Sequence, residues 1–243
     1  MSAVGLSGPV QIFGIDPMQE ESVPSHQLGT IGVTSDGCKF RYVKNNATNA
    51  AVAGELQQRV AEDTALESIA VATTAVGATS VTTTGTVTVT VNQLADGYLV
   101  GTAEGGTGNG YRYRIKSHPA ATAAVCTFQL YEPIKVAFNT STQVDLVQNP
   151  YSGVIQNPTS ATGNPLGVAV IPLTASYYGW LQVSGPGIVK ADAGGAITVG
   201  DSVVASNQTA GCAENATGAQ AVVGVAITGI ASAEFGMCHL TIE

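Results

Sequence analysis

Three histidines, four cysteines and a run of glycines are the residues of this chain whose types could do chemistry. His26, His118 and His239 stand far apart in the sequence. Histidine serves as a general base or metal ligand only where a partner lies within hydrogen-bond reach, and no local motif brings two of these three together. Cys38, Cys126, Cys212 and Cys238 show no paired close spacing, so no zinc or redox motif is signalled. They read as reduced, small core or surface residues. The loop Gly105-Gly106-Thr107-Gly108-Asn109-Gly110 has the composition of a phosphate cradle. A phosphate loop, however, needs a strand before it, a helix after it and a source of positive potential. Here an alternating strand follows, so the expected role is a hairpin connection that uses glycine for positive φ. No Gly-x-Ser-x-Gly elbow occurs. Asp36, Asp96, Asp192 and Asp201 adjoin or closely precede glycines and read as turn formers. The expectation is a chain with no catalytic residue, no metal and no cofactor, and therefore not an enzyme.

Charge points away from nucleic acid. The chain carries 9 Lys and Arg against 17 Asp and Glu, a formal net charge of −8, whereas phosphate binding rests on clustered basic side chains that release counterions. The densest basic group is Arg112, Arg114 and Lys116, whose alternation places all three on one strand face, expected to be solvated. With 44% hydrophobic and only 11% charged residues in 243, the chain can bury enough apolar area to fold compactly, and its surface must be largely small and neutral. The start of the sequence lacks a signal-peptide pattern, and no stretch reaches membrane-spanning length. Synthesis in a cytoplasm, with no membrane partner, is the expectation.

The elements that would position any site read as β throughout. Residues 1–35, with Pro9, Pro17 and Pro24, form an extended arm that packs on a neighbour or stays loose. Residues 36–72 open the main domain: Cys38 to Val43 alternates as a half-buried strand, Asn45 to Ala53 is expected to form one short helix ended by Gly54, and Glu55 to Ala70 is open between helix and strand. Residues 73–149 form a separate, inserted and outward-projecting β module. In it Val87, Val89 and Val91 alternate with threonines, and Tyr111, Tyr113 and Ile115 alternate with the basic residues. Residues 150–243 complete the main domain. There Gly167-Val168-Ala169 is followed twelve residues after Gly167 by Gly179, and Gly224-Val225-Ala226 by Gly236 at the same interval, 57 residues along. Both copies carry aromatic-Gly-large apolar, so one two-strand unit is used twice, as in a small barrel or sandwich with internal pseudo-symmetry. The fold class is all-β. The only tryptophan, Trp180, lies beside Tyr177 and Tyr178 and reads either as a core aromatic or as a subunit-interface anchor. With Phe235 of the second copy, these are the candidate interface residues.

The chain resembles the head decoration, or capsid cement, proteins of tailed bacteriophages. The resemblance is carried by Gly167-Val168-Ala169, Tyr177-Tyr178-Gly179-Trp180-Leu181-Gln182-Val183 with Gly185-Pro186, Val199-Gly200-Asp201, Val223-Gly224-Val225-Ala226 and the closing strand, together with Phe40-Arg41-Tyr42-Val43 and Ala50 to Gly54. It covers about residues 28–60 and 150–243, through short motifs of common residues. It implies a small β-barrel, a homotrimer, the major capsid protein as partner, a place on the exterior of the virion and a role in stabilising the expanded head. A carbohydrate- or receptor-binding β module of a phage or bacterial surface is the alternative, with Tyr98, Tyr111 or Trp180 stacking on sugar.

Overall fold

A computed structural model describes residues 11–102, 106–218 and 220–243. The expected arm residues 1–10 and loop residue Gly105 lie outside the described residues. The strands in chain order begin with β1 (Gln11–Phe13), β2 (Ile31–Val33), β3 (Lys39–Asn45) and β4 (Leu56–Gln58). Then come β5 (Ile69–Ala70), β6 (Ser80–Thr82), β7 (Val87–Val89), β8 (Tyr98–Gly101), β9 (Arg112–Ser117), β10 (Ala121–Ala124), β11 (Thr127–Leu130) and β12 (Gln143–Val147). The chain closes with β13 (Ser152–Gln156), β14 (Pro165–Ala169), β15 (Tyr178–Lys190), β16 (Ser202–Ala205), β17 (Ala213–Asn215), β18 (Val222–Ala226) and β19 (Phe235–Thr241). The fold is all-β; a single 3-10 turn at Thr64–Leu66 is the one helical element among the described residues.

Two compact units divide the chain. Among the described residues one is Glu62–Asn149; the other joins residues 11–61 to Pro150–Glu243. In the first, β5-β12-β8-β9-β11-β6 form one sheet. Its two ends meet through the Val71↔Thr83 bridge, the Ala72 N–H to Thr82 O bond of 2.9 Å and the Thr84 N–H to Ala70 O bond of 2.7 Å. Closing a sheet this way removes its free edges. Its core holds Leu99, Tyr113, Ile115, Phe128, Phe138 and Val144, with Val87 and Val89 from β7. Thr88, between these valines, faces solvent, as period-two alternation requires. Val91 falls in the next turn and is exposed.

The second unit is built around β15, at 13 residues its longest strand. Pairings β3–β13, β13–β4, β4–β14, β14–β15 and β15–β3 form a closed ring of five strands. Val43, Val154, Leu166, Ala169, Leu173 and Leu181 fill it. The far half of β15 then pairs with β19 and continues through β18, β16 and β17. A parallel bridge from Ala191 to Ala213 brings β17 back towards the end of β15. The second core holds Val189, Ala191, Ile197, Val203, Val223, Ile230, Cys238 and Leu240.

These two rings are the same unit used twice, and the register shows it strand by strand. Val168 pairs with Gln182 and Val225 with His239. Lys44 pairs with Tyr178 and Lys190 with Phe235. Leu56 pairs with Val168 and Ser202 with Val225. Bridges Ala51↔Leu173 and Ile197↔Ile230 correspond, as do the positive-φ turn residues Ser176 and Ala233. The glycines of the sequence repeat have one job in both copies. A Cβ on Gly179 would collide with Leu173, and one on Gly236 would lie 2.5 Å from Ile230 Cγ1. The turn aliphatic packs directly onto bare backbone. The first copy is interrupted between β4 and β13 by the Glu62–Asn149 unit.

The short helix expected at Asn45 to Ala53 is absent. Asn45 belongs to β3, and its side-chain amide donates to Leu173 O at 2.8 Å and Asn49 O at 3.0 Å. The Asn46 side-chain Oδ1 accepts from the Thr48 and Asn49 N–H groups at 2.9 and 2.8 Å. Side-chain amides that bond nearby backbone in this way compete with helix formation. The inserted unit begins at Glu62, where the sequence reading set it at residue 73.

Candidate functional site

Two equivalent faces, one on each ring, differ in what covers them. On the first ring the outward side chains of β3 and β15 are Phe40, Tyr42 and Trp180, which form one buried cluster with Cys38. Ile12, Ile15 and Leu28 of the arm pack on it. The described part of the arm therefore lies on its own ring: β1 pairs with β2 and β2 with β3. Gly32 makes the close approach possible, since a Cβ there would lie 2.5 Å from Ile15 Cδ1 and 2.8 Å from the Trp180 ring.

Polar contacts lock this seat. Glu21 and Tyr178 exchange two backbone hydrogen bonds of 2.9 and 2.8 Å. Glu20 accepts from the Thr174 N–H at 2.6 Å and its hydroxyl at 2.8 Å. The Tyr42 hydroxyl donates to Glu21 Oε2 at 2.6 Å and accepts from the Ser25 N–H at 3.2 Å. Burial, and then the Glu21 carboxylate that accepts its proton, push the Tyr42 phenol up to about 12. Burial alone would raise Glu21, but the bonds it accepts from Tyr42 and Ser25 hold it below the ordinary carboxylate value. The His26 ring lies against Tyr42 and Trp180 at centroid distances of 5.2 and 5.5 Å.

On the second ring the corresponding positions are Pro186 for Phe40, Ile188 for Tyr42 and Met237 for Trp180, by the shared register. Of the described arm residues, Met18 alone lines the groove over them. Ile188 is 45% exposed and Met237 37%. Val225, equivalent to the buried Val168, is also exposed. Phe235 is 54% exposed, with its ring against Gly54. A shallow groove of about 440 Å³ lies here, lined by Met18, Gly54, Val170, Ile188, Phe235 and Met237.

The candidate interface residues are thus split. Trp180, 4% exposed, sits under the arm, with Tyr178 half-buried beside it. Tyr177 is half-buried at the turn, where its carbonyl accepts from Asn45 N–H at 2.8 Å. Phe235 lies on the uncovered face. Met237 stands in the sequence as the large apolar of the second aromatic-Gly unit, in the place of Trp180, but is not among the candidate interface residues. Ile188 is not singled out there; the signal that could have found it is the equivalence of Lys44 and Lys190, which carries the repeat back through β3 and the far half of β15.

The groups that might have done chemistry are not brought together. His118 is buried: its Nε2 accepts from Leu94 N–H at 2.9 Å and its Nδ1 lies 2.8 Å from Pro119 O. His26 is in the arm seat, and His239 is exposed on β19. Among the described residues no three His, Cys, Asp or Glu stand where they could hold a metal ion. Arg112 and Arg114 lie over the Tyr98 and Tyr131 rings at 5.0 Å each, and Arg114 pairs with Asp96 at 2.8 Å. Gly108 and Gly110 adopt positive φ in the connection from β8 to β9, as a hairpin turn requires. Among the described residues no helix is long and apolar enough to cross a membrane. The chain matches no family model, no curated protein and no solved structure.

Proposed function

We propose that this chain is a non-catalytic structural subunit that decorates and stabilises the outside of a tailed-bacteriophage head, as a homotrimer bound to the major capsid protein. The observation that carries the reading is the uncovered apolar face of Ile188, Phe235 and Met237 on a closed β ring whose twin face is sealed. An exposed apolar patch on a rigid scaffold is a docking surface. The short motifs that resemble those of capsid cement proteins supply the choice of the assembly in which such a surface is used. Such a subunit needs only to bind the assembled shell and not its dissociated parts, and it then stabilises the shell by mass action. Neither step needs a reacting group.

The test is co-sedimentation of the purified chain with expanded empty heads that lack it, followed by heating. Saturable binding that raises the temperature at which the heads release their contents supports the reading. Heads that sediment without the chain, at low and at physiological salt, overturn it.

A sugar-binding reading is favoured by one residue, Tyr111, exposed beside the β8–β9 turn. Trp180 cannot serve it while the arm covers the ring. Glycan binding that is lost in Tyr111→Ala would move the function to the inserted unit.

A further inference from the structure

The two rings have matching outer faces, and the molecule itself shows what kind of surface seals one. On the first, the arm alternates along β1: Ile12 points to the Phe40–Tyr42–Trp180 cluster and Phe13 points away. Phe13 is 76% exposed, and Met18 and Val23 further along the arm are also exposed. The arm is thus a strap with two apolar sides, one seated and one bare. On the second ring, the row Pro186, Ile188, Met237, Val225 and Ile227 runs across β15, β19 and β18, with all but Pro186 among the large exposed apolars. Its equivalents on the first ring are covered.

We infer that this face of the second ring binds the outer side of the arm, Phe13 and Val23, of a second copy of the chain. The occupant is chosen by equivalence: the same face, in the same register, is sealed in the first ring by an apolar arm. The exposed arm side chains Phe13, Met18 and Val23 offer apolar surface of the same kind as the seated ones. Met18 of the molecule's own arm already stands at the rim of the groove, so a neighbouring arm would continue an existing contact.

The contact is heterologous, because arm and face are different surfaces. Such contacts close into rings or run on as filaments. A ring is the form that the proposed decoration subunit requires, and the inference deepens that reading by naming the two surfaces that meet. Lys190 lies over the Phe235 ring and His239 lies in the row itself, while the arm carries Asp16, Glu20 and Glu21 between Phe13 and Val23.

The experiment uses the full chain in solution, without heads, so that its failure is separable from failure of the capsid reading. Mass is measured by light scattering and sedimentation velocity over a concentration series. Wild type is expected to be a closed oligomer. Ile188→Glu, on the face, and Phe13→Ser, on the arm, are each expected to give monomers. Mixed together they are expected to give dimers that go no further, since each mixed pair keeps one intact arm and one intact face. Should Ile188→Glu fail to fold, Met237→Thr tests the same face. A monomeric wild type overturns the inference. So does an oligomer that Phe13→Ser leaves unchanged, which would mean that two faces meet each other. A monomer whose Met237 becomes protected from oxidation only on binding heads also overturns it, and gives the face to the shell.

Discussion

Lys44 and Lys190 occupy the same place in the two rings, and each ammonium lies over an aromatic ring on the strand it pairs with: Tyr178 at 5.6 Å and Phe235 at 5.9 Å. The repetition of a long-range side-chain contact, and not only of strand order, marks the rings as one unit used twice. It also divides them, because Tyr178 is half-buried beside the arm and Phe235 is open.

The two lysines should not cost the same to remove. Each loses a cation–π contact worth about 0.5–1 kcal/mol at a partly exposed site. Lys190 also stands 3.5 Å from the buried carboxylate of Glu55, whose other partner is the Gln156 amide at 2.6 Å. Chemical denaturation is expected to show Lys190→Ala more destabilised than Lys44→Ala. Equal losses would mean that the Glu55 contact contributes nothing.

Acid should release the arm. Glu21 titrates below its ordinary value of 4.5 in the folded chain, so it contributes stability that is complete above that value and is lost as pH falls through the folded one. Trp180, the single tryptophan, lies under the arm and reports its departure. Its fluorescence is expected to shift to the red below about pH 4.5, and Glu21→Gln is expected to show the shifted spectrum's onset at neutral pH. A variant with wild-type spectrum and acid response would remove Glu21 from the seat.

Gly179→Ala and Gly236→Ala should each destabilise their own ring by about 1–3 kcal/mol, the usual cost of overpacking. The added methyl meets Leu173 in the first ring and Ile230 in the second. Leu173→Ala in the Gly179→Ala background is expected to cost less than the sum of the two changes, because each relieves the other. Additive losses in a denaturant series would show that the contact is not what excludes a side chain there.

All four cysteines are free and buried, and burial pushes each thiol up, Cys238 to about 11. The thiolate is the reacting form, so an aromatic disulfide reagent at neutral pH is expected to titrate four thiols in urea and none promptly in the native chain. Cys238 contributes stability that is whole below about 9 and lost as pH rises towards about 11. A rapidly reacting native thiol would show that its burial is interrupted in solution.

Much of this was legible in the residues. Alternating valines at Val87 and Val89, the glycine-rich connection into β9 and the paired Gly-Val-Ala and aromatic-Gly segments all appear as strands and hairpins where expected. The repeat was legible only in part. β14 with the first half of β15, and β18 with β19, keep their spacing and so could be aligned. β3 with the far half of β15, and β4 with β16, could not, because an 88-residue stretch from Glu62 to Asn149 shifts the one relative to the other and Phe40, Tyr42 and Leu56 are replaced by Pro186, Ile188 and Ser202. The helix expected after Asn45 failed for a reason that composition hides: two asparagine side chains bond to backbone nearby and each also reaches a carbonyl far along the chain, Asn45 that of Leu173 and Asn46 that of Val154.

The sequence by itself determined that strands would form, which side chains share a face and that one two-strand unit recurs, because alternation and turn chemistry are short-range properties of neighbouring residues. Which of two matching faces is sealed was decided only by the tertiary structure. Trp180 and Met237 follow the same period on equivalent strands, yet one is covered and the other bare, since cover comes from an arm far off in the chain and period two says nothing about what lies opposite a face.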